Sequence, residues 1–490
     1  MAHDSGDSGG PKLRRELSIW EAIGISLALM APSMAANINP QGTSALIGRA
    51  VPLAFVLATM GVLLVAYTFV RLAQRFHHSG SVYGFVGATL GPRAGVLAGW
   101  ALTGTYVFYG VVTSIAFGRF GSALLDSLGI WKHQGTWVAY VLALIGLVGV
   151  YLLAISPARD GTRILLMIEG VTVALILVVT LVIFIKLVGH SGPGKLGLDW
   201  SVFKIPSGTP TSAVFLGVVF GFLSFAGFEA AATLGEEAKH PRRDIPRAIL
   251  GVAIFGGVYF TVVTAIEVMG FGTDAKGISA FTSSGSLLGD LGSQYVAAWV
   301  GDVITAGATV SAFGCALACA VGSSRLMYAL GRDGISLPMF NEIHAKRGTP
   351  TKATGAVVAG MAVIEIFAWL VLKADSLTLF FQTGTIGTLI LLVVYGLATI
   401  GAIRLLFFSG TKTVAAWEIV IPVLTLLVLG YTLFRNVWPL PSGSAWWGPG
   451  TAIAWLVIGI AWIVARPGAT RRSGELLLAS EGLAPDSVHA

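Results

Sequence analysis

Charge is scarce in this 490-residue sequence: Asp, Glu, Lys and Arg together make up 11% of it, against 55% hydrophobic residues. A water-soluble fold of this length needs far more polar surface, so the bulk of the chain is expected to face lipid. Cysteine is nearly absent. Cys315 and Cys319 stand four apart in one apolar stretch, which excludes a disulfide framework and reads as a pair of small packing residues. The first residues, Met1 to Leu17, lack the apolar core and small-residue cleavage site of a secretory leader. No removed leader is expected, and the first span inserts directly. There is also no phosphate-binding loop, metal-ligand cluster or nucleophile elbow. ATP-driven pumping and hydrolysis therefore find no support, and no catalytic, cofactor or metal residue is nominated.

What is present is a series of long apolar runs. Leu53 to Val70, Val138 to Leu153, Val171 to Ile185, Val357 to Leu372 and Leu389 to Ile400 carry almost no charge. Each approaches the roughly 20 residues that a helix needs to cross a bilayer. Such continuity excludes a transmembrane barrel, whose strands alternate apolar and polar residues. Spans are expected near residues 19–48, 51–74, 94–121, 137–155, 163–187, 212–235, 247–271, 296–327, 353–372, 379–405, 414–435 and 449–466. The net charge of +7 does not form the single basic face that nucleic acid requires. Its Lys and Arg residues are scattered through short loops. With a cytoplasmic N-terminus, 22 of the 31 fall on the cytoplasmic side and 9 on the other. The positive-inside rule thus puts both termini in the cytoplasm of a cell whose plasma membrane lipid surrounds the chain.

The loop from Val188 to Thr211 is rich in Gly and Pro and separates five spans from the next five. The expected division is a cytoplasmic tail (1–17), a first repeat (18–187), an extracellular linker (188–211), a second repeat (212–405), two further spans (406–466) and a cytoplasmic tail (467–490). Both tails read as disordered. The spans that open the two halves are irregular. Span one is interrupted at Ala31-Pro32-Ser33-Met34 and again at Asn37-Ile38-Asn39-Pro40, where proline removes a donor and clashes with the preceding turn. Span six is interrupted at Phe225-Ala226-Gly227-Phe228-Glu229. One Pro or Gly alone reads as a kink or a packing device. A matched pair of breaks points to the midplane binding site of a secondary transporter.

An ionisable side chain in mid-span costs about 2.5–3.5 kcal/mol on insertion scales and so faces a cavity or a partner. Glu169, Glu229, Glu267, Asp302 and Glu365 are such groups. Glu229 stands at the break of span six, where it can carry a proton, brace the second half-helix or bind a cation. A structural hydrogen-bonding carboxyl is the plainer reading. The other four read first as structural or interhelical pairs, with Glu169 kept beside Glu229 as a coupling or gating candidate. Broken helices suit a zwitterion. Exposed amides at Ser33, Met34 and Ala35 attract a carboxylate. The carbonyls of Met30, Ala31, Phe225 and Ala226 accept from an ammonium group, and Phe222, Phe225 and Phe228 offer apolar or cation-π surface. Gly314, Ala318 and Gly322 form a smooth stripe for helix packing, and His77 and His78 read as solvated loop residues.

The stretch Phe222 to Ile249, FLSFAGFEAAATLGEEAKHPRRDIPRAI, closely resembles the sixth span and following loop of the amino acid, polyamine and organocation (APC) transporter superfamily. Arg325, Tyr328, Ala329, the run Gly331-Arg332-Asp333-Gly334, Pro338 and Pro350 resemble the same family's loop after span eight. The resemblance implies an all-α polytopic protein of twelve transmembrane helices, a five-plus-five inverted repeat of the LeuT type with two extra helices. It implies alternating access around a site between spans one, three, six, eight and ten. Ser33, Met34 and Ala35 would take a substrate carboxylate, and Phe225, Ala226 and Gly227 the amino group. Glu236, Glu237, Pro241, Arg242, Arg243 and Asp244 would belong to the cytoplasmic loop that shapes the inner gate.

The sequence departs from the family in three places. Pro32-Ser33-Met34 replaces a Gly-Ser-Gly type sequence, which narrows the space for a closely packed carboxylate. Leu223, included among the expected substrate residues, stands where several carriers of cationic amino acids have an aromatic. Lys186 lies at the outer end of span five, where some proton-coupled relatives have a lysine within the span. The expectation is a non-enzymatic amino acid permease that imports its small-molecule substrate, with proton coupling favoured over exchange. A polyamine or other organic amine is the rival substrate, and a non-transporting sensor the rival class. The oligomeric state has no signal in the sequence.

Overall fold

The computed structural model describes residues 18–76, 82–156, 159–234, 238–332, 337–344, 347–409, 414–441 and 443–480. His77, His78, Glu236, Glu237, Asp333, Gly334 and the 1–17 tail lie outside the described residues. Span one consists of α1 (Ile19–Met30) and α2 (Pro32–Ile47), and span two is α3 (Val51–Arg75). A short α4 (Val82–Leu90) precedes α5 (Pro92–Ser127), α6 (Trp137–Ala154) and α7 (Arg159–Val188), which are spans three to five. Span six is α8 (Val214–Phe225) followed by a 3-10 segment, Ala230–Leu234, and span seven is α9 (Pro241–Phe271). Then come α10 (Ala275–Ser283), α11 (Leu287–Tyr295) and spans eight to ten: α12 (Ala298–Arg332), α13 (Thr351–Leu370) and α14 (Ser376–Phe407). Spans eleven and twelve are α15 (Val420–Val437) and α16 (Trp447–Ala465), followed by α17 (Pro467–Ser480).

Among the described residues, 11 helical runs are long and apolar enough to cross a membrane, the first being the 57-residue run Ile19–Arg75. At 1.5 Å per residue that run reaches about 85 Å, enough for two passes through a hydrocarbon layer of about 30 Å. It holds both α1–α2 and α3, so the crossings number twelve. The apolar side chains of Val171, Leu181 and Ile185 on α7 face outward, as lipid contact requires.

The first break is one residue wide. Ala31 adopts left-handed angles (φ 45°, ψ 59°), its N–H closes α1 on the Leu27 carbonyl at 2.9 Å, and its carbonyl opens α2 by accepting from Ala35 N–H at 2.9 Å. Pro32 follows at the first position of α2, where its missing donor costs nothing. The second interruption expected at Asn37 to Pro40 does not occur: α2 runs through Pro40 to Ile47. Proline removes only one hydrogen bond, and both asparagines tie the helix to its surroundings. Asn37 Nδ2 donates to Ser33 O at 2.8 Å and Oδ1 accepts from Ser286 Oγ (2.8 Å) and Leu288 N–H (2.9 Å); Asn39 Nδ2 donates to Ser224 Oγ at 2.8 Å.

Two further expectations are corrected. Pro241, Arg242, Arg243 and Asp244 are the first turn of α9 and not loop, because Pro241 starts the helix and Asp244 lies at its electropositive end. Residues 467–480 are helical and not disordered: α17 packs on α4 and α5 and buries Thr470.

The last span is fastened to the core by two tryptophans. Trp100 of α5 and Trp455 of α16 stack with centroids 4.7 Å apart, and each indole N–H donates to the other's carbonyl, at 2.9 and 3.2 Å. The exchange satisfies two donors that lipid would leave unpaired. Gly104 and Gly459 make room for it, since a Cβ there would lie 2.2 Å from Trp455 Nε1 and 2.3 Å from Trp100 Cδ1.

Candidate substrate site

Helix α8 stops at Phe225, and the chain continues through turns closed by Phe228 N–H on Phe225 O (3.1 Å) and Ala230 N–H on Gly227 O (2.9 Å). Gly227 has φ +97°, and a Cβ on it would lie 2.7 Å from Leu29 Cβ. Only glycine meets both conditions without strain. This turn delivers Glu229 into the protein interior at 5% exposure, with no hydrogen-bond partner within 3.5 Å of Oε2 among the described residues. Its own N–H, that of Gly227 and the Tyr395 hydroxyl face the carboxyl as donors, and Tyr106 and Tyr109 lie within electrostatic range of it.

Glu229 borders a cavity among spans one, three, six, eight and ten, the set implied by the resemblance. Leu29, Met30 and Met34 come from span one; Leu223, Ala226, Gly227 and Glu229 from span six. Thr105, Tyr106, Tyr109, Val112 and Thr113 come from α5, Cys315 and Cys319 from α12, and Leu391 from α14. Of the residues nominated from sequence, Met30, Met34, Leu223, Ala226, Gly227 and Glu229 are thus brought together.

The others stand behind the wall. Ala31, Ser33 and Ala35 are buried at 1, 0 and 0% exposure without lining the cavity. Phe222 packs on α3, where a Cβ on Gly61 would lie 2.7 Å from its ring. Phe225 meets Phe260 edge-on at 5.3 Å, and Phe228 sits 6.0 Å from both Phe69 and Tyr395. These three rings belong to the core and not to the cavity surface. The α5 and α12 lining was not nominated, although Thr105, Tyr109 and Thr113 recur every four residues and place a polar stripe on one helix face.

The amides expected to be exposed at the start of α2 are occupied by the protein itself. Ser33 N–H donates to Oε1 of Glu169 on α7 at 2.9 Å, and Met34 N–H to Ser311 Oγ of α12 at 3.3 Å. Glu169 is 6% exposed, and among the described residues its Oε2 has no hydrogen-bond partner. The remaining mid-span carboxyls differ. Glu365 accepts from Ser114 across α13 and α5, while Glu267 is fully buried with neither oxygen paired among the described residues. On the packing stripe, Gly314 faces Leu165 and Gly322 faces Tyr106.

Twelve crossings, with the first and sixth broken around a buried carboxyl, define a membrane carrier of the LeuT-type fold, five-plus-five with two extra helices. The chain belongs to the amino acid permease family, whose model, described as "Amino acid permease", matches residues 17–463. It is similar to the low-affinity putrescine importer PlaP of Escherichia coli, 28% identical over 69% of this chain and 72% of that one. It is also similar to the branched-chain amino acid permease BcaP of Bacillus subtilis, 25% identical over 71% of this chain and 73% of that one. A solved structure of the Eremococcus coleocola manganese transporter, in complex with an aromatic bis-isothiourea substituted compound, matches with a TM-score of 0.50 at 13% identity, covering 94% of this chain and 98% of that one. At that identity the likeness speaks for the fold alone. The family comprises permeases, not enzymes.

Proposed function

We propose that this permease is a secondary carrier that binds one small amine-bearing solute beside Glu229 and exposes it alternately to each side of the plasma membrane. The observation that carries this reading is the Glu229 carboxyl, buried, with one oxygen unpaired, in a cavity between the two broken spans. A group so placed calls for a cationic partner or a proton. The relatives support an amine, since putrescine and branched-chain amino acids share an amino group. Met30, Met34, Leu223, Ala226 and Gly227 form the contact surface. Ala31, Ser33, Ala35, Phe222, Phe225 and Phe228 hold the two breaks in shape behind it.

Residues 18–187 and 212–405 are the two repeats that move against each other. Residues 188–211 join them on the outside, and residues 406–466 flank them. The charge bias of 22 against 9 supports cytoplasmic termini. Proton-coupled import is the favoured mode, because a buried carboxyl stands at each break, Glu169 at the first and Glu229 at the second. The test is radiolabelled uptake of amines and amino acids into liposomes holding the purified protein, with and without an inward proton gradient. Gradient-driven accumulation supports the reading. Binding without flux replaces it with a sensor, and flux indifferent to the gradient removes the proton.

A further inference from the structure

The donors that a helix start offers to an anion can be accounted for one by one at α2. Pro32 has no N–H. Ser33 N–H is taken by Glu169 Oε1 at 2.9 Å, Met34 N–H by Ser311 Oγ at 3.3 Å, and Ala35 N–H by Ala31 O at 2.9 Å. A carboxylate arriving in the cavity therefore finds no free amide at this helix end. The cavity gives it no cation either. Among the described residues its lining includes no Lys, Arg or His, and its one carboxyl group is that of Glu229, 5% exposed with Oε2 unpaired. A carboxylate there would be desolvated with hydroxyls but no cation to meet it, beside another carboxyl, whereas an ammonium group gains a carboxyl partner.

We infer that Glu169 is a specificity-determining residue: its carboxyl group occupies the place of a substrate carboxylate at the start of α2, so the cavity selects an organic amine that carries no carboxylate. Exclusion works through two terms, an attractive site already filled and a second carboxyl, that of Glu229, in the wall. The Leu29, Met30, Val112 and Leu391 side chains in the lining suit the alkyl part of such an amine. The inference rests on the carrier reading above and narrows its substrate class.

Matched pairs that differ by one carboxyl group test it: putrescine with ornithine, cadaverine with lysine, 3-methylbutylamine with leucine. Thermal stabilisation of the purified full-length chain reads binding, and uptake into liposomes reads flux. The expected result is that the wild type is stabilised by the amine of at least one pair at concentrations roughly tenfold or more below those its amino acid needs. Glu169→Ala, which frees the Ser33 amide, brings the amino acid of that pair to within a few-fold. Glu169→Gln, which keeps an oxygen acceptor for that amide, retains the preference. A wild type that binds the amino acids as well as the amines, or no member of any pair, overturns the inference whether or not the variants fold. An unchanged preference in a folded Glu169→Ala removes Glu169 from it. Stabilisation by an amine without flux leaves the inference standing and overturns the carrier reading.

Discussion

The hydroxyl of Ser26 on α1 donates to the carbonyl of Phe228 at 3.0 Å, pinning the first half of span one to the unwound stretch of span six. The same oxygen accepts from Ala231 N–H at 2.9 Å. One side chain thus satisfies two backbone groups that lie beyond the end of α8, in a place where water is scarce. Ser26→Ala is expected to destabilise the protein by about 1–3 kcal/mol for each group left unpaired. A lower midpoint in fluorescence-monitored thermal unfolding, with slower uptake, is the outcome sought. An unchanged midpoint would mean that the tie is dispensable.

The turn at Gly227 has no room for a side chain. With φ +97° and Leu29 Cβ 2.7 Å from the position of a Cβ, Gly227→Ala is expected to cost about 1–3 kcal/mol and to reduce uptake sharply, because Glu229 leaves its place. Glu229→Gln keeps the shape but loses the charge. It is expected to elute normally on size exclusion while binding no amine, so the pair of variants separates geometry from chemistry. Normal uptake in both would remove this turn from the site.

Cys315 and Cys319 lie one turn apart on α12, and both line the cavity, with Cys315 Sγ donating to Leu29 O at 3.1 Å. A small maleimide reaching either thiol fills the space beside Glu229. Uptake is expected to fall on treatment and substrate to slow that loss, while the residual uptake of a Cys315→Ser, Cys319→Ser double variant is insensitive to the reagent. Sensitivity that persists in the double variant would place the effect elsewhere, since the chain has only these 2 cysteines.

Outside the membrane, the loop before span six is tied to the end of α9 through Asp199, whose carboxylate accepts from Thr273 Oγ1 at 2.6 Å and from Ser201 N–H at 2.9 Å. The Thr273 hydroxyl first, and Ser201 second, hold its pKa below the usual value. A depressed carboxylate contributes stability that is fully present above its unfolded-state pKa of about 3.9 and is lost as pH falls through the lower folded value. Asp199→Asn is therefore expected to lower the melting temperature at pH 6, with the gap to wild type closing below about pH 4. A gap that stays constant across that range would show that the tie owes nothing to the charge.

The two breaks were legible because their causes are local. Pro32 cannot donate and Gly227 tolerates positive φ wherever they are placed. The same reasoning failed at Pro40, where distant partners, Ser286 and Ser224, hold both asparagines and the helix runs on. It also failed to sort span six. Phe222, Phe225 and Phe228 share a spacing, yet the cavity receives their neighbours Leu223, Ala226 and Gly227, because every face of that span is apolar and periodicity has nothing to separate.

Composition and run length alone determined that the chain is a twelve-span helical membrane protein, since lipid leaves a backbone no other way to satisfy its donors without closing a barrel. The order of the broken spans and the mid-span acids were also there to be read. What only the tertiary structure decided is which of those groups meet. Glu169 and Ser33 are 136 residues apart in the chain, and the packing of α7 against the end of α1 and the start of α2 sets a carboxyl on the amide that a substrate was expected to use. Contacts of that separation depend on the rotation and tilt of whole helices, which side-chain packing sets and local sequence does not encode.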